Sequence, residues 1–509
     1  MPVYKIAYGD SVIDGGLFLR TRPAQSASFN YVDNAGNFFT HLSTFSGKST
    51  IRENLLELLE NARKQVFFTS FLIQDDQIRE SLIKAVRRLK GHVYVLTTLK
   101  KNDFEEASLQ EGQDGSREWD FNAHMECVKH LAVNGISVRA RKDCHAKFAV
   151  FDDRYAVVTS ANSVPTCFAD ILQDNGQTRQ ANPENGVFLE IPSEVCRLAN
   201  FFRAIWRSAY NYYISPDQHF SDVGEFNKEI LPISCNEPAL SPDKGQVIWT
   251  APDDYRILTS LLDMIDSADR KIRISSYILK GMKEHVLSRK LEQAAHRNVE
   301  IEVLVRGLAR KDHLESCCYL KKTLKDKIRI YGDFYNHSKA VVIDNAQAMI
   351  LTANLDAQHG LDSSVEVGFI SKDSQFINSV SSFLDRLKAG CVLEFIANPS
   401  QGQAAMNFST IHEPIVSGDD IIINFNHHSK NHNLMHKLIA EIKSQLVKLS
   451  DYDKNGRKKY RLFTNHIVVD FVNNGRNQLD VQQIREDANA ANLHFKQLLP
   501  KSTITLNMD

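Results

Sequence analysis

No apolar run in this 509-residue chain approaches the length of a membrane span. The first residues, MPVYKIAYGDSVIDGG, lack the basic start, apolar stretch and small-residue cleavage site of a secretory signal. The expectation is a cytoplasmic protein with no integral membrane association. Net charge is nearly absent too, because 61 Lys and Arg against 62 Asp and Glu leave -1. Attraction for a polyanion must therefore come from a local cluster of cations. The eight cysteines include no C-x-x-C pair, and their spacing suggests neither a zinc site nor a disulfide framework. They read as reduced, mostly buried thiols, and no cofactor is implied.

What the chain does contain is a long internal repeat. The first copy runs RENLLELLENARKQVFFTSFLIQDDQIRESLIKAVRRLKGHVYVLTTLKK from Arg52. Leu55, Leu58, Leu59 and Ala62 share a helical face, Val66 to Ile73 reads as a strand, Ile78, Leu82, Val86 and Leu89 form a second stripe, and Val93 to Leu96 a second strand. From Tyr255 the same order returns, with Leu258, Leu261, Leu262 and Ile265 on the first stripe and IRISSYIL matching VFFTSFLI. Each copy closes on an amphipathic segment, SEVCRLANFFRAIWRSAY and SQFINSVSSFLDRLKAG.

Near the end of each copy lies a polar set on strand-like sequence. HAKFAVFDDRYAVVTSAN holds His145, Lys147, Asp152 and Asn162, and HSKAVVIDNAQAMILTAN holds His337, Lys339, Asp344 and Asn354 at the same intervals. A strand period of two puts each His and its Lys on one face, with the Asn at the end of the neighbouring strand. One H-x-K alone means little: His428 and Lys430 in NHHSKNHN have no strand, Asp or Asn after them and read as a solvated loop. Four identities at matched spacing in two copies mark a reaction centre.

These paired motifs resemble the HKD signatures of the phospholipase D superfamily, and the repeat before each resembles that family's half-domain, over roughly residues 46–395. One departure is visible: the family's Gly-Ser before x-Asn is Thr159-Ser160 here and Leu351-Thr352 in the second copy, a loss of glycine expected to tighten the pocket. The resemblance implies an α/β fold of two phospholipase D-like repeats, their mixed, mostly parallel sheets sandwiched by helices, plus a small C-terminal α+β appendage. The expected organisation is an N-terminal extension over 1–45, a first half over 46–215, a linker over 216–245, a second half over 246–395 and an accessory region over 396–509.

The resemblance also implies the chemistry, that of a metal-independent phosphodiesterase acting through a phosphohistidine. If both motifs face one cleft, two imidazoles flank a phosphodiester while Lys147, Lys339, Asn162 and Asn354 surround its non-bridging oxygens. Histidine suits the task because its pKa lies near neutrality. The family makes His145 the nucleophile and His337 the acid, an order that the residues alone leave open. The family's N…E-x-G pattern assigns Glu366, and NPENGVFLEI supplies Glu184 after a spacing ten residues longer, as carboxylate partners for the histidines. Asp152 and Asp344 are expected to brace turns. Cys144, beside His145, reads as a buried thiol outside the mechanism.

The family includes lipases, phosphatidyl transferases and nucleases, so surroundings must select the substrate. In both copies the second strand ends in cations, Lys100 and Lys101 in the first and Arg306, Arg310 and Lys311 in the second. At the carboxyl edge of an open sheet these are expected to bind substrate. The expectation is a nuclease cleaving DNA, with RNA a further candidate substrate, in DNA processing or defence against foreign DNA. A phospholipase D or phosphatidyl transferase is the alternative of the same fold, and the apolar loop SVPTCFADIL keeps it open. A silent nucleic-acid-binding scaffold is the alternative of another class. The C-terminal region is a candidate for contact with a protein partner.

Overall fold

In the computed structural model, described residues are 15–21, 38–45, 47–98, 121–141, 143–172, 178–211, 230–231, 245–307, 311–357 and 360–398, with the backbone of further short strands. The chain divides into two compact units. One, Ala24–Arg306 with Tyr319–Cys391, carries both repeats.

The first repeat runs β1 (Phe39–Phe45), α1 (Thr50–Asn61), β2 (Val66–Thr69), α2 (Asp76–Arg88), β3 (Val93–Thr97), α3 (Phe121–Val133), β4 (Ser137–Ala140), β5 (Phe148–Phe151), β6 (Tyr155–Thr159), β7 (Glu184–Leu189) and α4 (Pro192–Arg207). The second runs β8 (Gln246–Ala251), α5 (Arg256–Asp266), β9 (Lys271–Ser275), α6 (Val286–His296), β10 (Glu300–Arg306), β11 (Ile328–Asp333), β12 (Ala340–Ile343), β13 (Gln347–Leu351), β14 (Glu366–Ser371) and α7 (Ser374–Gly390). Local signals set the helix starts. The Ser49 side chain caps α1 by accepting from Arg52 N at 3.2 Å, and Asp75 and Asp373 cap α2 and α7 in the same way, at 3.0 and 2.9 Å. The valine- and phenylalanine-rich β2 and β3 are buried at every residue, as strands covered on both faces must be.

The strands order as β1-β7-β6-β5-β2-β3-β4 in one sheet and β8-β14-β13-β12-β9-β10-β11 in the other, so the sequence repeat is a repeat of topology. Both sheets are mixed, as expected, but not mostly parallel. Parallel pairing is confined to β2, β3 and β4 and to β9, β10 and β11, where helices make the crossovers. The rest is antiparallel because tight hairpins join β5 to β6 and β12 to β13. The boundary expected at residue 46 also moves, since β1 pairs with β7 and is the counterpart of β8. Its sequence FTHLSTF has no obvious twin in QVIWTA, which hid the equivalence.

One hydrophobic core spans both halves, joining Phe67, Phe148, Phe202 and Trp206 to Val247, Val342, Phe369 and Phe376. Across the seam, Phe39 of β1 meets Phe369 and Phe376 at ring distances of 5.1 and 5.6 Å, and His41 meets Phe383 at 5.7 Å. Burial there pushes the His41 imidazole down to about 3. Burying such aromatic surface, at roughly 25 cal/mol per Å², makes the two halves one folding object.

The other unit holds Met1–Pro23, Gly307–Cys318 and Val392–Asp509. In it Gly16–Arg20 pairs with Leu393–Ala397, and Val3–Ala7 and Asp420–His427 flank His466–Asn473. The N-terminal extension is therefore strand partner to the C-terminal region. The helix expected around residues 434–449 lies outside the described residues. Among the described cysteines, Cys127, Cys144, Cys167, Cys317, Cys318 and Cys391 are free and buried. Cys196 of α4 is instead disulfide-bonded, a pairing that the spacing did not reveal. No helix among the described residues is long and apolar enough to cross a membrane.

Candidate active site

The two HKD histidines stand where each chain segment enters its hairpin, His145 before β5 and His337 before β12. Backbone contacts across the seam fix them: His145 N–H donates to the Val365 carbonyl and His337 N–H to the Pro183 carbonyl, each at 3.1 Å. Val365 and Pro183 are the residues just before Glu366 and Glu184. The glutamates consequently reach the histidine of the other half. His145 Nδ1 meets Glu366 Oε1 at 2.7 Å, and His337 Nδ1 meets Glu184 Oε1 at 2.7 Å. The sequence offered one carboxylate per half; the structure crosses the pairs.

Each glutamate is held by its second oxygen. Ser160 Oγ donates to Glu184 Oε2 at 2.5 Å, and Thr352 Oγ1 donates to Glu366 Oε2. Backbone N–H groups of Asn185 and Val367 donate back to these hydroxyls at 3.0 and 2.9 Å, which turns the hydroxyl protons toward the carboxylates. Burial would raise the Glu184 carboxyl, but His337 and Lys339 outweigh it and hold it below the ordinary carboxylate value. An ionised Glu184 keeps the proton on Nδ1 of His337 and leaves Nε2 for chemistry.

The lysines turn back on their own histidines. Lys147 Nζ donates to the His145 carbonyl at 2.7 Å and stands 2.7 Å from Nε2; Lys339 Nζ is 2.8 Å from the His337 carbonyl and 3.5 Å from Nε2. Both ammonium groups are buried, and so are Asn162 and Asn354. The Oδ1 atoms of these two asparagines have no hydrogen-bond partner, a matched pair of unsatisfied buried polar groups beside the histidines' hairpins. His145 is packed by Phe71 at 5.5 Å and His337 by Tyr277 at 5.0 Å, edge to face.

Sequence reasoning found the His, Lys, Asn and Glu sets and missed this aromatic wall. Its signal was present in the aligned strands VFFTSFLI and IRISSYIL, where serine precedes an aromatic in both. Those serines pin the asparagine loops: Ser70 accepts from Ser163 N at 3.1 Å and Ser276 from Leu355 N at 3.0 Å. The missing family glycine does not narrow the site either. Thr159 and Leu351 lie one residue from the glutamate-binding hydroxyls, hence on the opposite strand face, and sit across from Gly186 and Gly368. A Cβ at Gly186 would come within 2.9 Å of the Val158 carbonyl oxygen, so the glycine of E-x-G makes the space.

Asp152 and Asp344 lie away from the imidazoles. Asp344 accepts from the backbone N–H of Asp269, Arg270 and Lys271 at 2.7, 2.9 and 2.6 Å, and Asp152 does the same for Arg63, Lys64 and Gln65 at 2.5, 2.7 and 3.1 Å. They tie the hairpin to the preceding helix-to-strand loop, and both adopt positive φ, 56° and 54°. Burial would raise the Asp344 carboxyl, but the three N–H donors outweigh it and hold it below the usual range. Asp344→Ala is expected to cost about 1–3 kcal/mol, read as a lower urea midpoint, with kcat of the folded protein within a few-fold of wild type. Inactivation as deep as that of a histidine variant would instead put this carboxylate in the chemistry.

The proposed substrate cations fare differently. Arg306 is 2% exposed and donates Nε to the Phe334 carbonyl at 2.8 Å, with its guanidinium 5.6 Å from the Tyr277 ring. It is a brace under the His337 loop, because that loop covers the end of β10. Lys100, Lys101 and Arg310 lie outside the described residues, and Lys311 is described only as the first residue of the helix Lys311–Leu324. Most of the apolar loop after Asn162 is not a surface: Val164, Cys167 and Phe168 are buried in the first half's own core, and only its last residue, Leu172, is an exposed large hydrophobic. Burial pushes the Cys144 thiol up to about 12, in keeping with a structural cysteine. Among the described residues one cluster has metal-ligand chemistry, Cys167, Glu184 and His337, and it shares the groups of the His337 pair.

A family model described as "Cardiolipin synthase, PLD-like domain" matches residues 55–206 and 261–388, more than half of the chain, and these two stretches contain all eight of the His, Lys, Asn and Glu residues above. No curated protein matches the sequence. Similar solved structures include phosphatidylserine synthase of Haemophilus influenzae Rd KW20, 13% identical with a TM-score of 0.47, covering 80% of this chain and 94% of that one. Polyphosphate kinase of Porphyromonas gingivalis is 14% identical with a TM-score of 0.44 over 68% of this chain, which spans only 50% of the kinase. Nuc, a phospholipase D family member of Salmonella typhimurium, is 20% identical with a TM-score of 0.25, covering 29% of this chain and 95% of that one.

Proposed function

Because this chain belongs to the family of phospholipase D-like domains, we propose that it is a phosphodiesterase working through a phosphohistidine, and that its substrate is nucleic acid. The observation that carries the chemistry is the crossed pairing of His145 with Glu366 and His337 with Glu184. In each pair the carboxylate accepts a hydrogen bond from Nδ1–H and keeps the proton there, so the two Nε2 atoms are the reactive positions.

In the first step the lone pair of His145 Nε2 forms a bond to phosphorus, and the bond from phosphorus to the leaving oxygen breaks. His337, protonated, gives its Nε2 proton to that oxygen. In the second step the now neutral His337 takes a proton from water, the water oxygen bonds to phosphorus, and the P–N bond breaks to restore both imidazoles. Lys147 and Lys339, with the amides of Asn162 and Asn354, meet the charge on the non-bridging oxygens. Four fixed donors supply what a divalent cation supplies in other phosphoryl transfers, which supports a metal-independent reading. Lys147 approaches the Nε2 of its imidazole more closely than Lys339 does, 2.7 against 3.5 Å, the placement of an ammonium donating to a lone pair, which supports His145 as the nucleophile.

Purified protein in excess chelator should cleave labelled single-stranded DNA, duplex DNA or RNA, and leave phosphatidylcholine vesicles intact. Turnover of the vesicles alone would move the substrate to phospholipid, and loss of activity in chelator would remove the metal-independent mechanism.

A further inference from the structure

Phe334 is 42% exposed and lies three residues before His337. A three-residue segment spans at most about 10 Å, so the Phe334 backbone lies within that distance of the His337 backbone. Its exposure is not slack in the chain. Arg306 Nε donates to the Phe334 carbonyl at 2.8 Å, Asp333 accepts from Tyr335 N at 2.7 Å, and Asn336 Nδ2 reaches the Leu304 carbonyl at 3.1 Å. Three anchors on a short loop hold an apolar ring in water.

The neighbouring groups form a row. The Tyr335 ring is 6.5 Å from Phe334, tilted by 59°, and on it lies the Arg179 guanidinium, 5.2 Å from the centroid. Arg179 comes from the first half and is tied to Asn182 at 3.1 Å, two residues before Glu184. Among the described residues the His145 side differs: the counterpart of Tyr335 is Asp143, doubly bonded to Arg141 at 2.6 and 2.8 Å, and the counterpart of Phe334 lies outside the described residues. The two halves match in their catalytic groups and differ here, where a substrate with two unlike ends would be distinguished.

We propose that Phe334, backed by Tyr335 and Arg179, is a stacking subsite for an unpaired nucleobase on the leaving-group side of the scissile phosphate. The inference rests on the nucleic-acid reading above and on His337 as the acid. An exposed aromatic ring, beside a second ring that carries a guanidinium, suits a base of any identity, and only a strand with an unstacked base can offer one. A phospholipid would need a continuous apolar face, whereas the described surface near this loop offers one ring and, on the ribbon that carries Arg179, the exposed Leu172.

The test is steady-state cleavage of a twelve-nucleotide thymidine strand and of an abasic strand of equal length by wild type, Phe334→Ala and Phe334→Trp. Wild type should show the lower KM for the thymidine strand. Phe334→Ala should raise that KM roughly tenfold, within the range of base stacking on an aromatic, with kcat held and the abasic KM unmoved, and Phe334→Trp should restore it. Equal effects on both strands, or none, would overturn the subsite while leaving the nuclease reading in place. A wild type that cleaves neither strand and turns over phosphatidylcholine vesicles would overturn that reading and the subsite with it.

Discussion

His145→Ala is expected to lose turnover by ~10⁴-fold or more, the scale on which a nucleophile acting within a catalytic unit fails. His337→Ala should fail in a different way. Its absence removes both the acid of the first step and the base of the second, each worth roughly 10²- to 10⁴-fold. A p-nitrophenyl phosphodiester needs no proton to expel its leaving group, so with that substrate the first step proceeds and the second stalls. Acid-labile, base-stable radiolabel from the phosphoryl group should then accumulate on the His337→Ala protein and never on His145→Ala. Label on the opposite variant would exchange the two roles. Label on neither would remove the covalent intermediate, and with it the function proposed for the crossed pairs.

The second large effect is expected from Glu366→Gln, a change of one atom. Thr352 receives a hydrogen bond from Val367 N at 2.9 Å, so its own proton points at Glu366. In the glutamine variant the amide oxygen must stay on Thr352, which turns the NH2 group toward His145 Nδ1. That donor selects the tautomer protonated on Nε2, and the nucleophilic lone pair is gone. A loss of roughly 10³- to 10⁴-fold in kcat is the magnitude known for a tautomer-fixing carboxylate made amide. Adding Thr352→Val frees the amide to flip and should recover part of that loss, a coupling that a double-mutant cycle reads directly. Glu366→Gln with more than about a tenth of wild-type kcat would show that the carboxylate does not set the tautomer.

The reaction centre was legible because the chain carries it twice. His337, Lys339 and Asn354 turned a polar interruption at His145 into a spaced set, and strand alternation then predicted which groups share a face. Glu184 and Glu366 were legible as residues but not as partners. Which carboxylate meets which imidazole is set by how two sheets dock, and no local period reports docking. Arg306 misled for a related reason: a cation at a strand end reads as exposed until a later segment, here Phe334 to Asn336, is laid over it. The glycine missing before Ser160 misled because a strand position was judged without its cross-strand neighbour, Gly186. The start of the first half at β1 was hidden since a strand shared by both repeats need keep only its pairing, not its residues.

The crossing of the glutamates also times the appearance of activity. As the chain is synthesised from its N-terminus, His145 and Lys147 are complete more than two hundred residues before Glu366 exists. His337 appears after Glu184, but its carboxylate partner is presented only by a docked first half. A nascent or half-unfolded chain therefore carries imidazoles with no fixed tautomer, and the cleaving centre switches on with the final packing event. For the proposed phosphodiesterase, assembly and arming are then one step.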